Sequence, residues 1–140
     1  MPSGASTPYE DQFSYQDALA ARGDVAGALE SFEAVIAERP GVAAPRLKAA
    51  ELYARQGGNP QRAAALFREV RDLPGVPRGD ALFASSRLVD LYDGPLDDPG
   101  RALVELRRII EVHPNTDLAA GARVALARIK AQRLAEPGEG

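Results

Sequence analysis

The chain has 140 residues, 45% of them hydrophobic and 26% charged, and a formal net charge of −3. That size and composition fit a globular domain with a core of its own rather than a disordered chain, and the weak negative charge gives no reason to expect a nucleic-acid partner. With no cysteine, there is no disulfide, no thiolate zinc site and no thiol nucleophile.

Residues 1–8 are small and polar with two prolines and read as a disordered lead. They carry neither a basic n-region nor an apolar h-region, so no secretory signal is expected. No run approaches the roughly 18 apolar residues of a membrane span, and the expected location is the cytoplasm. A first helix is predicted over about Tyr9–Ala21, with Phe13, Tyr15, Ala18 and Leu19 available for burial. Gly23 suits the position after its end, and Asp24 is placed to cap the next helix. That helix, about Val25–Glu38, carries Ala28, Leu29, Phe32, Val35 and Ile36 at helical spacing and ends at Pro40-Gly41.

A third helix, about Ala43–Gln56, carries Leu47, Ala49, Ala50, Leu52 and Tyr53. Asn59-Pro60 then combines an N-cap with a proline at the first helical position, where a missing N–H costs nothing. The fourth helix, about Pro60–Leu73, has Ala63, Ala64, Leu66, Phe67 and Val70. After a loop containing Pro74, Gly75, Pro77 and Gly79, Asp80 is expected to cap a fifth helix carrying Leu82, Phe83, Leu88, Val89, Leu91 and Tyr92. Asp98-Pro99 repeats the cap-plus-proline device and opens a sixth helix with Ala102, Leu103, Leu106, Ile109 and Ile110, stopped by Pro114. Asn115 or Thr116 caps a seventh helix to about Leu134, with Leu118, Ala122, Ala125, Leu126 and Ile129 expected to be buried. Residues 135–140 read as a frayed tail.

The second helices of the three pairs superpose in sequence. Ala28, Ala63 and Ala102 correspond, as do Phe32, Phe67 and Leu106, and then Val35, Val70 and Ile109. In the first helices, Leu52-Tyr53 matches Leu91-Tyr92. A helix pair recurring every 34–39 residues is the signature of an α-solenoid, because one pair cannot bury both its faces and must stack on a neighbour. The predicted fold is therefore all-α: three helix-turn-helix repeats over residues 9–134 with a C-terminal capping helix.

These residues resemble the tetratricopeptide repeat family. The closest matches are Gly23-Asp24-Val25-Ala26-Gly27-Ala28-Leu29 with Phe32, Val35 and Pro40, and Asp98-Pro99-Gly100-Arg101-Ala102-Leu103 with Leu106, Ile109 and Pro114. The repeats are degenerate. Gln12 occupies the place of a usual large aromatic, and Gln16 and Val89 replace a small residue that Ala50 and Ala122 keep. The resemblance implies a protein-binding surface rather than a catalytic one. In the family register the first helix of each pair lines a concave groove. Asp17, Glu51 and Asp90 then fall at equivalent places, with Phe13, Leu47 and Ser86 four residues before them, Phe83 a turn earlier again and Arg55 a turn after Glu51. The family's clamp for C-terminal carboxylates uses Lys and Asn or Arg on this face. Phe13, Asp17, Leu47 and Glu51 depart from it, so that specificity is not implied.

Chemistry is sparsely represented. The only histidine, His113, stands beside Pro114 at a helix end, which suits a dipole or solvent contact. Asp93, Asp97 and Asp98 lie in a turn but lack the order and closing Glu of a calcium loop. No catalytic, metal or cofactor residue is therefore named. Residues 1–40 hold seven acids and two bases, and residues 101–140 hold seven bases and five acids. Arg107, Arg108 and Arg123 form a candidate basic surface, without the interleaved aromatics that stack nucleic-acid bases.

The expected function is a non-catalytic protein–protein interaction module: a scaffold, adaptor or structural subunit of a larger assembly. An acidic ladder beside apolar side chains favours a basic amphipathic partner segment. Two other readings stay open: a soluble extrinsic subunit docked on a membrane protein complex through its charged faces, and an enzyme or enzyme regulator with an unrecognised site.

Overall fold

A computed structural model describes residues 13–136. Seven helices and no strand occur among them: α1 (Ser14–Ala21), α2 (Val25–Glu38), α3 (Ala43–Arg55), α4 (Pro60–Asp72), α5 (Arg78–Asp93), α6 (Pro99–Val112) and α7 (Asp117–Ala135). Within α1–α4 and within α5–α7, consecutive helices pack on one another, the pairing of an α-solenoid. They form two compact units, one ending at Gly75 with α1–α4 and one beginning at Val76 with α5–α7. The predicted start of the first helix at Tyr9, the lead and Gln12 lie outside the described residues, as does the tail beyond Glu136.

The turn chemistry is the same three times over. The residue before each second helix has left-handed backbone: Gly23 at φ 92°, Gly58 at φ 63° and Asp97 at φ 48°. The next side chain caps the helix. Asp24 Oδ1 accepts from the Gly27 N–H at 2.9 Å, Asn59 Oδ1 from Arg62 at 3.0 Å and Asp98 Oδ1 from Arg101 at 3.1 Å. Each satisfies one of the N–H groups a helix start leaves orphaned. Of the two capping candidates for α7, Thr116 does the work, its Oγ1 accepting from Ala119 at 3.1 Å.

Asp80 does not cap α5. Pro77, with φ −58° and ψ 143°, precedes the helix, and its carbonyl accepts from Ala81 N–H at 3.0 Å. The helix therefore starts at Arg78, and Asp80 stands in its first turn, where a carboxylate complements the dipole.

The first unit buries Phe13, Leu29, Phe32, Ala49, Ala50, Ala63, Leu66, Phe67 and Val70. Phe13 and Phe32 meet with ring centroids 5.7 Å apart. Where the family pattern has a small residue, buried Gln16 spans the gap between α1 and α2, Nε2 donating to Ser31 Oγ at 2.9 Å. Tyr15 and Ala18, expected to be available for burial, are exposed: α1 is a short helix and meets its partner along one face only.

Glu33 of α2 draws three helices together. It accepts from Tyr53 Oη of α3 at 2.7 Å and from Arg62 of α4 through Nε at 2.8 Å and an Nη at 2.7 Å. The second unit buries Ala84, Leu88, Leu91, Tyr92, Ala102, Leu106, Ile109, Ala119, Ala122 and Ile129. Ile129 is covered as expected of the capping helix. Leu126 is only half-buried; Ala125 is half-buried and Leu118 exposed because both line a cleft that α7 leaves beside α5.

Candidate functional site

The cleft lies within the second unit and has a volume of about 390 Å³. Ser86, Val89 and Asp90 from α5 form one wall; Asp117, Leu118, Gly121, Ala122 and Ala125 from α7 form the other; Leu106 and Ile109 of α6 line it between them. Its surface is mostly apolar, with carboxylates at Asp90 and Asp117 and one hydroxyl at Ser86. Gly121 keeps it open: no side chain stands there, and an added Cβ would meet nothing within 4 Å.

Sequence reasoning placed Ser86 and Asp90 on a ligand-facing surface, and both line this cleft. It missed Asp117 and Gly121 and assigned Leu118 and Ala125 to the core, along with Ala122, which is indeed buried while also lining the cleft. The available signal was Gly121, a glycine inside a helical pattern, which lowers helix stability and so asks for a packing or functional reason.

The other candidate residues are placed as follows. Phe13 is buried against Phe32; it is a core side chain and offers no surface to a ligand. Asp17 reaches from α1 to Lys48 of α3, with Nζ–Oδ1 at 3.0 Å, so its charge is already matched inside the first unit. Leu47 and Glu51 are half-buried, and Arg55 is exposed. In the second unit Phe83 is 41% exposed and lies outside the set of cleft-lining residues. Asp90 is exposed and accepts from Arg87 Nη1 at 2.9 Å, one turn back on the same helix. Lys48 was not foreseen as a partner, whereas the Arg87–Asp90 spacing of three is a standard helical pair. Arg107, Arg108 and Arg123 are all exposed.

His113 caps the end of α6, its N–H donating to Ile109 O at 2.9 Å. Arg78 Nε donates to its Nδ1 at 3.4 Å. Burial, then the charges of Arg78 and Arg108, hold its pKa below the usual imidazole value. It is remote in role from the cleft, whose lining contains no histidine. Among the described residues no group of three metal-ligating side chains converges, and no helix is long and apolar enough to cross a membrane. The cleft can thus hold apolar side chains and attract positive charge; its lining supplies no nucleophile–base pair.

Comparison with known families agrees with the repeat pattern. A tetratricopeptide repeat model matches residues 19–84. Over that stretch, just under half of its length, the chain is similar to tetratricopeptide repeats, which generally mediate protein–protein interaction and are typically non-catalytic. No curated protein matches the chain.

Proposed function

We propose that this chain is a non-catalytic protein-binding module, serving as a scaffold, adaptor or subunit of a larger assembly, and that the cleft between α5 and α7 receives a basic, partly apolar segment of its partner. The observation that carries this reading is the cleft's composition: an apolar lining between Asp90 and Asp117. A volume of this order accommodates a few side chains of a peptide or helix. Apolar anchors buried there would set the lifetime of the complex, and the rim carboxylates its association rate and selectivity. Arg87 competes with any incoming cation for Asp90, so the native ion pair tunes the site's charge.

The test uses a synthetic basic amphipathic peptide and surface plasmon resonance at two salt concentrations. Gly121→Trp fills the cleft from an exposed helical position and should lower affinity by about tenfold or more, with the helical signal unchanged. Asp90→Asn with Asp117→Asn should slow association and weaken its salt dependence. Arg87→Ala should act in the opposite sense and tighten binding. Unaltered rates in all three variants would remove the cleft as the docking site. Affinity capture with mass spectrometry from the native source then supplies the partner's identity.

A further inference from the structure

α7 is apolar on two opposite sides. Ala119, Ala122 and Ile129 are buried. On the other side, residues 120, 124, 127, 131 and 134 recur at intervals of four and three and are all exposed. Val124 is 72% exposed and Leu134 is 87% exposed, the largest values among the exposed large hydrophobic side chains. This apolar stripe of alanines with Val124 and Leu134 is left uncovered by the described residues. Beside this face Leu134, Lys130 and Arg133 enclose a depression of about 490 Å³ floored by Leu103 of α6.

Charge narrows the occupant. Arg123 and Lys130 run along one edge of the apolar face and Arg128 along the other. Arg128 is paired with Asp93 at 3.1 Å. Among the described residues, no carboxylate pairs with Arg123, Lys130 or Arg133. A second copy of α7 laid antiparallel on this face would set these cations against one another, which costs affinity. A bilayer surface cannot fill a concave depression, and alanines at 120, 127 and 131 give it little apolar area to take up. An α-helix with an apolar stripe and carboxylates on its flanks meets all three features. Its stripe covers Val124 and the small residues between, one large side chain enters beside Leu134, and its acids reach Arg123 and Lys130.

We infer that the outward face of α7, with the depression beside Leu134, is a second docking surface whose occupant is an acidic amphipathic helix of a partner protein. This surface is separate from the α5–α7 cleft and takes the opposite charge.

The experiment uses the full chain and two designed helical peptides of about three heptads. Both carry the same Leu/Ala stripe, one flanked by Glu and the other by Lys. Fluorescence anisotropy should show the Glu peptide binding at least about tenfold tighter than the Lys peptide, with affinity falling as salt rises. Val124→Ser with Leu134→Ser, both at exposed positions, should reduce Glu-peptide binding about tenfold or more. Lys130→Glu with Arg123→Glu should remove the preference for the Glu peptide. Gly121→Trp should leave Glu-peptide binding intact, which separates this surface from the cleft. The inference is overturned if the two peptides bind equally or not at all, or if the serine variant binds the Glu peptide unchanged. It is also overturned if sedimentation shows a dimer that Leu134→Ser dissolves, or if phosphatidylserine vesicles retain the chain while the Glu peptide does not.

Discussion

At residue scale, the clearest constraint is the left-handed backbone before each cap. Gly58 has φ 63° with open space around it, so its substitution is a pure backbone experiment. Gly58→Ala should lower stability by about 1–2 kcal/mol in denaturant melts. Asp97 holds the equivalent position at φ 48° with a Cβ in place, and Asp97→Gly should be neutral or slightly stabilising. Phe67 is fully buried, and Phe67→Ala should cost about 3 kcal/mol or more, as core aromatic truncations do. Phe13→Ala belongs in the same class, and its effect should appear as lost stability rather than lost binding.

At the scale of elements, Glu33 links α2 to α3 and α4. The Arg62 hydrogen bonds, together with the Tyr53 hydroxyl and the charges of Arg62 and Arg46, outweigh burial and hold its pKa below 4.5. A depressed carboxylate pKa contributes stability that is full above the unfolded-state value and is lost as pH falls through the folded one. Melts on the acid side of about pH 4.5 should therefore show wild type losing stability faster than Glu33→Gln. At neutral pH the Gln variant should be weaker by about 1–2 kcal/mol, the site being half exposed. Tyr53 is shifted upward, by burial first and then by its bond to Glu33, so its contribution disappears only as pH rises above the ordinary tyrosine range. The capping helix gives the second element-scale prediction. Removing residues 115–140 uncovers Leu106 and Ile109 of α6, and the truncated chain should aggregate or lose cooperative unfolding.

At the scale of the whole molecule, two compact units meet at Gly75–Val76. Pro74 and Gly75 are exposed and lie outside any helix, so their backbone lacks the protection of a helical ladder. Limited digestion with a broad-specificity protease should cut first between Leu73 and Pro77 and release two fragments near those bounds. First cleavage at the α2–α3 or α6–α7 turn would contradict this division.

The sequence by itself determined the helices and their pairing. Those features rest on local rules: apolar spacing of three and four, Asx caps before proline or small residues, and the unburied face of a lone helix pair that forces stacking. The same register put Ser86 and Asp90 on one face of their helix, and both line the cleft. Tertiary structure decided which of the register-equivalent residues are accessible. Phe13 and Ser86 hold the same register position, yet Phe13 lies under Phe32 and Ser86 lines the cleft. Asp17 meets Lys48 from another helix, a pairing that no local spacing encodes. The cleft exists because α7 stands off α5 at Gly121, and the outward face of α7 exists because nothing described covers Val124 and Leu134. Periodicity assigns a face to each side chain; only the packed neighbour, distant in sequence, decides whether that face is filled.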